Sequence, residues 1–328
     1  MIATTPADIL RFALTRVDEG VGAVLVTLTA IDGSSPRAVG AQMAVAADGR
    51  HIGSFTGGCI EAAVVAEAIG TLGDGAGRLV RFGAGSPYLD IRLPCGSGID
   101  LLFNPHPDRD ALARTLAQHD RREPAALRLS KAGVMPGSDP GAGTGWQGDA
   151  FLLCYPPTLR IVAMGQGEEL TALARLARAF GAHVCALSSD DRALAALAAA
   201  GCETIALTTR THLPPLATDR WTAIISLFHD RDWEEALLPH ALAAASFYIG
   251  AIGSPRTQQD RRDALAAAGI PRHRRDKLQT SVGLIAATRD PATLALSTLA
   301  QIVLDYHRIG PSAAAAQPPA AAQAFRDR

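Results

Sequence analysis

The sequence predicts an α/β protein: a mixed α/β N-terminal domain followed by a Rossmann-like, doubly wound parallel-sheet domain. Three observations carry this reading. From Leu159 onward, short apolar runs alternate with alanine-rich helical stretches, the pattern of a parallel sheet covered by helices. The run MGQGEELTALARLARAFGA opens a helix directly after one such strand, the setting of a dinucleotide-binding turn. Before Pro156 the texture differs, with strands such as AVLVTLTAI separated by glycine-rich loops. A length of 328 residues with 48% hydrophobic content is enough for about two cores.

Each element follows from its local pattern. Thr5 reads as an N-cap, with Pro6 in the first turn, Asp8 behind it, and Ile9, Leu10, Phe12, Ala13 and Leu14 forming an apolar stripe. A strand over 23–31 places Val24, Val26 and Leu28 on one face. QMAVAADGRHIGSF is a second strand folded at Asp48-Gly49 and ending at Phe55, and a helix begins near Ile60. RLVRFG and IDLLFNP are strands, 108–122 is a helix, and AALRLS pairs with AFLLCY around the Gly/Pro-rich loop MPGSDPGAGTGWQGD. Pro156-Pro157 marks the boundary, so the domains are 1–157 and 158–310. Beyond it come the strands LRIVAM, HVCALS, TIAL, WTAIISLF and FYIGAIG, with helices over 168–180, 191–199 and 232–245 and two more after these. The segment 311–328, PSAAAAQPPAAAQAFRDR, is low-complexity and reads as a disordered tail.

Composition removes several function classes. A formal net charge of −1, from 31 basic and 32 acidic residues, supplies no field for nucleic acid or a membrane surface. Aromatics at 5% give few platforms for base stacking. The basic cluster Arg261, Arg262, Arg272, His273, Arg274, Arg275 and Lys277 reads as a solvated surface. The N-terminus resembles no signal peptide, and the uncharged run 236–255 is broken by Pro239, His240, Gly250 and Gly253, so a soluble cytoplasmic protein is expected. Five cysteines without a CxxC pair point to reduced thiols.

The first candidate site is the stretch GSFTGGCIEAAVVAEAI. Cys59 falls at or beside a helix N-cap, where free N–H groups and the helix dipole favour negative charge and draw a thiol toward the thiolate, the form that binds metals. Gly57 and Gly58 would let a ligand approach the backbone. On position alone, a small apolar cysteine buried in a tight turn is an equal reading. Ser34, Ser35 and Arg37 in GSSPR suit an oxyanion or phosphate, and a plain Gly/Ser/Pro turn is the alternative. PCGSG adds Cys95 and Gly96; with no histidine nearby, Cys59 and Cys95 do not make a four-ligand zinc site. Cys154, Cys185 and Cys202 read as core.

The second candidate is the carboxyl edge of the parallel sheet, where open α/β sheets bind ligands. Gly165 and Gly167 fill the first two glycine positions of a dinucleotide turn, Leu170 stands at the third, and Glu168 and Glu169 place negative charge where a pyrophosphate would rest. Asp190 or Asp191 is positioned to reach a ribose. His229 with Asp230 and Asp232 offers acid/base or metal contacts, or a helix cap, and Gly250, Gly253, Ser254 and Arg256 converge on the same edge.

Together these runs identify a resemblance. GSSPRAVGAQM…DGRHIGSFTGGCIEAAVVAEA with RFG…CGSGIDLLFNP resembles the N-terminal domain of the xanthine dehydrogenase accessory proteins, the XdhC/CoxI family. IVAMGQGEEL, LFHDRD, YIGAIGSPRTQQDRRDALAAAGI and VGLIAATRDPATLALSTLAQIV resemble its Rossmann domain in the same order. The resemblance implies a maturation factor, without turnover of its own, that binds the molybdenum cofactor (molybdopterin), supports its sulfuration and delivers it to a xanthine dehydrogenase-like apoenzyme. It implies Cys59 as the metal ligand, with Cys95, Ser35, Arg37 and Glu61 around it, a cysteine desulfurase as a possible partner, and a homodimer. The chain departs from the family at Glu168, where GQGEEL replaces GAGHVA, at Ser97, where CGS replaces CGG, and at Ile285 in place of an acid. The rival is an NAD(P)-dependent oxidoreductase using the Gly165 loop, His229 and Asp230; a third reading is a protein-interaction module without a cofactor.

Overall fold

The computed structural model describes residues 4–86, 96–279, 281–286 and 288–310. They divide into two compact units, Thr4–Pro157 and Thr158–Gly310.

In the first unit, α1 (Pro6–Asp18) begins as its sequence dictates: the Thr5 hydroxyl accepts the Asp8 N–H while the Asp8 carboxylate accepts the Thr5 N–H, a reciprocal capping box. Five strands follow, with one helix among them: β1 (Ala23–Asp32), β2 (Gln42–Ala46), β3 (His51–Gly53), α2 (Glu61–Asp74), β4 (Arg78–Gly83) and β5 (Gly98–Pro105). They form an antiparallel sheet in the order β3-β2-β1-β5-β4. Alternation along β1 sends Val24, Val26 and Leu28 to the α2 side, with Ile60, Val64 and Phe103. Leu25 faces the other way, with Leu10, Leu112 and Phe151. Both faces are therefore buried, each large apolar side chain contributing roughly 1.5–3 kcal/mol.

The second strand ends earlier than its apolar pattern suggests, at Gly53 and not Phe55. Gly53 has φ +94° and lies so close to β2 that a Cβ there would meet the Gln42 carbonyl oxygen, so pairing stops at this glycine. The unit closes with α3 (Arg109–Asp120), β6 (Ala125–Ser130), β7 (Gly133–Pro136), β8 (Gly145–Gln147) and β9 (Ala150–Tyr155). The expected hairpin of β6 with β9 is present, but the loop between them is itself partly strand, giving a four-stranded sheet β7-β6-β9-β8. Pro136 ends β7 and Gly145 opens β8, while Gly137, Pro140, Gly141, Gly143 and Gly148 lie between the strands.

The second unit comprises β10 (Arg160–Gly165), α4 (Gly167–Phe180), β11 (His183–Ser188), α5 (Asp191–Ala199), β12 (Glu203–Ala206), β13 (Thr222–Leu227), α6 (Arg231–Ala243), β14 (Tyr248–Ala251), α7 (Pro255–Ala267), α8 (Arg272–Arg275), β15 (Leu278–Gln279) and α9 (Pro291–Ile309). All six strands are parallel in the order β12-β11-β10-β13-β14-β15, the doubly wound arrangement whose switch point lies between β10 and β13. Three helices follow β14 where two are expected, because α8 is a single turn. Arg261 is not part of a solvated basic face. Its guanidinium is buried with the Glu234 carboxylate at 2.7 Å and also donates to the Ile252 carbonyl and the Gln258 side chain. The tail expected at 311–328 lies outside the described residues.

Candidate functional site

Three loops of the first unit carry the residues singled out around Cys59. The first, after β1, holds Ser34, Ser35 and Arg37; the second, 54–60, joins β3 to α2; the third precedes β5. The roots of the first and third are fixed by a buried cation. Arg81 on β4 donates to Asp32 at the end of β1 (2.7 Å), to Asp100 on β5 (3.1 Å) and to the Ala84 carbonyl (2.6 Å). The Ser34 N–H donates to the Ser97 hydroxyl at 3.0 Å, and Arg37 Nε donates to the Ser54 carbonyl at 3.1 Å. The structure thus joins the first loop to each of the other two. Ser35 accepts the Arg37 N–H within its own loop. Gly96 is exposed next to the buried Ser97, and Cys95, expected beside Cys59, lies outside the described residues.

Cys59 stands one residue before the N-cap of α2, which is Ile60, and its side chain is exposed. This excludes the buried-cysteine alternative. The N–H groups beside it are not free. Glu61, the first residue of α2, turns its carboxylate back over the loop: Oε1 accepts from the N–H groups of Phe55 (3.0 Å), Thr56 (2.8 Å) and Gly57 (3.1 Å), and Oε2 from those of Gly58 (2.7 Å) and Ile60 (3.2 Å). The Thr56 hydroxyl adds a sixth donor at 3.0 Å. Partial burial works to raise the Glu61 pKa, but the Thr56 backbone and hydroxyl, the residue's own N–H and that of Gly58 outweigh it and bring it down to about 2. The wrap depends on Gly57 and Gly58, at φ +76° and +126°. A Cβ at either would meet open space, so the positive φ is the demand for glycine that the protein's own atoms make here. Among the described residues, no three His, Cys, Asp or Glu side chains gather to form a metal cluster.

Of the four described cysteines, Cys154, Cys185 and Cys202 are buried, as expected. Burial raises the pKa of all three thiols, that of Cys185 to about 12.

At the edge of the parallel sheet the sequence neighbours separate. His229 is exposed and its Nε2 lies 3.5 Å from a Glu169 oxygen, across the switch point, not against Asp230 or Asp232. Asp230 caps α6 by accepting the Asp232 N–H at 2.9 Å, and Asp232 pairs with Arg210 at 2.6 Å. Asp190 caps α5, and Ser254 caps α7 while bonding the Thr257 hydroxyl. Gly165 is required by packing: a Cβ there would sit 2.8 Å from the Leu227 Cβ. Gly167 begins α4 at φ +72°, and Leu170 is fully buried beneath that helix. Arg81, Asp32, Asp100 and Ser54 went unnoticed in the sequence, and Ser97 was marked only as a departure from the family; an arginine on a short apolar strand was the one visible sign.

Residues 16–83 match the family described as "XdhC and CoxI family", and residues 161–302 match "XdhC Rossmann domain". A relative from Escherichia coli (strain K12), the molybdenum cofactor insertion chaperone PaoD, is 37% identical over 297 residues, 90% of this chain and 86% of its own length. The chain belongs to the XdhC and CoxI family. A crystal structure described as a xanthine dehydrogenase from Bacillus halodurans shares the fold of this XdhC/CoxI protein, with a TM-score of 0.73 at 21% identity over 92% of this chain and 96% of the other. Among the described residues of this family member, no helix is long and apolar enough to cross a membrane.

Proposed function

We propose that this XdhC/CoxI protein is a cytoplasmic carrier of the molybdenum cofactor, which it holds at Cys59 and passes to a molybdoenzyme apoprotein of the xanthine dehydrogenase kind. The observation that carries the reading is the exposed Cys59 thiol, set on a loop whose backbone is tied at both ends while the other described thiols are buried. A thiolate is a soft ligand for a molybdenum centre, and a single ligand at an exposed position can let its cargo go. Arg37 is exposed, and its terminal guanidinium nitrogens remain available to an anionic group of the pterin. The identity to PaoD supports the same cargo. Sulfuration of the cofactor with a cysteine desulfurase docked on the carrier, and a homodimeric carrier, complete this reading.

The nucleotide reading has less support. Glu168 and Glu169 occupy the first turn of α4, Asp190 is committed to a helix cap, and Leu170 fills the space where a dinucleotide turn needs its third glycine.

The test is purification from a molybdenum-replete host, oxidation of bound pterin to its fluorescent form, and metal analysis. Molybdopterin with molybdenum is expected in the wild type and most of it should be lost in Cys59→Ser. Apoprotein that takes up no cofactor on mixing, or a Cys59→Ser protein that retains the wild-type amount, overturns the proposal.

A further inference from the structure

We propose that Glu61 is a positioning residue for Cys59: its carboxylate gathers residues 55–60 around itself and so fixes where the thiol stands. This rests on the reading of Cys59 as the cofactor ligand.

A carboxylate has about four lone-pair directions, and that of Glu61 already takes five N–H groups and one hydroxyl. With both oxygens engaged, Glu61 has no capacity left for cargo, which removes it from the direct cofactor contacts that the resemblance implies. Of the six consecutive residues 55–60, Cys59 alone gives no hydrogen bond to this carboxylate, and its side chain is exposed. The chain curls around the acid and the cysteine is the residue left at the outside of the curl.

Ordinary helix capping does not explain the arrangement. In a capping box the acid is the third helical residue and bonds only the N-cap N–H. Glu61 is the first helical residue and reaches back as far as Phe55, over a segment with no regular structure of its own. Charge-assisted bonds of this kind are stronger than neutral ones. The loop is also anchored at its start, by Arg37 on the Ser54 carbonyl. The anchored start, the ring of donors and the rigid helix together leave Cys59 little freedom, so less order is lost when cargo binds.

The experiment uses the full-length chain and reads two quantities: amide hydrogen exchange over residues 55–60 and molybdopterin retained on purification. In Glu61→Ala the far-ultraviolet dichroism should stay as in the wild type, while these amides exchange at least tenfold faster and retained molybdopterin falls at least tenfold. Formate, a free carboxylate able to enter the vacated ring, should restore part of both, and chloride at equal ionic strength should restore neither. Unchanged amide exchange, or wild-type molybdopterin despite loosened amides, or rescue by chloride as well as formate, overturns the proposal. Should Glu61→Ala fail to fold, Gly58→Ala decides instead: it keeps the acid but opposes the wrap at φ +126°, and both quantities must move in the same directions. A Cys59→Ser protein with full molybdopterin refutes the role of Cys59 as ligand, whereas the amide exchange of Glu61→Ala still reports separately on what Glu61 holds.

Discussion

Arg37 and Ser54, seventeen residues apart, are joined by a 3.1 Å hydrogen bond from the Arg37 Nε to the Ser54 carbonyl, which ties the loop after β1 to the loop that carries Cys59. The side chain does this with one nitrogen and keeps its charge. Arg37→Ala should therefore lose about tenfold in molybdopterin retention. Because the residue is exposed, global stability should change by only about 0.5 kcal/mol. Pterin fluorescence and a thermal melt separate the two effects, and a melt that falls with retention would assign Arg37 to folding.

Thiol chemistry should divide the cysteines by burial. Iodoacetamide near neutral pH is expected to modify Cys59 first, with bound cofactor protecting it, while Cys154, Cys185 and Cys202 react slowly up to pH 9. The raised thiols also set a direction for stability. The Cys185 thiol moves from 9.0 to about 12 in the folded chain, so the unfolded chain ionises first and stability falls as pH rises above about 9. Mass-spectrometric mapping against pH checks the order, and a buried cysteine labelled ahead of Cys59 contradicts it.

NADH should bind with a dissociation constant no better than millimolar. Glu168 and Glu169 oppose a pyrophosphate at the start of α4, and Leu170 fills its base. Calorimetry returning a micromolar constant would instead favour the oxidoreductase reading.

The buried pair of Glu234 and Arg261 gives a stability test away from the candidate site. Removing one member strands the other charge, at a cost of roughly 3–5 kcal/mol. Glu234→Ala should lower the melting temperature by roughly 6–20 °C, taking 2–4 °C per kcal/mol for a protein of this size. The double change Glu234→Met with Arg261→Met should recover most of the loss. A single variant that melts within 2 °C of the wild type contradicts this assignment.

What the sequence disclosed depended on the range of the interaction. The N-cap at Thr5 was legible because its partner Asp8 lies within one turn, and the structure adds the return bond from the Thr5 N–H to the Asp8 carboxylate. Five strands of the parallel sheet were legible because their period repeats, whereas β15, only two residues long, was too short to show one. His229 was grouped with Asp230 and Asp232, its chain neighbours, yet meets Glu169, because parallel strands set distant loops side by side. Ser34 and Ser97 are sixty-three residues apart, and nothing local connects them. Glu61 is the instructive exception. All its partners lie within six residues, but an acid at the start of a helix is ordinary, and its use here depends on two glycine torsions that composition does not reveal.

The pairing of β1 with β5 sets Ala30 opposite Asp100, so the loops of Ser34 and Ser97 meet only when segments about seventy residues apart have found each other. Closing so long a loop is entropically costly and belongs to the slow part of folding. A nascent chain cut short before Ser97 holds the thiol of Cys59 but lacks Ser97 and Asp100, so the loop after β1 can already reach Ser54 while its partner beside β5 is still unsynthesised.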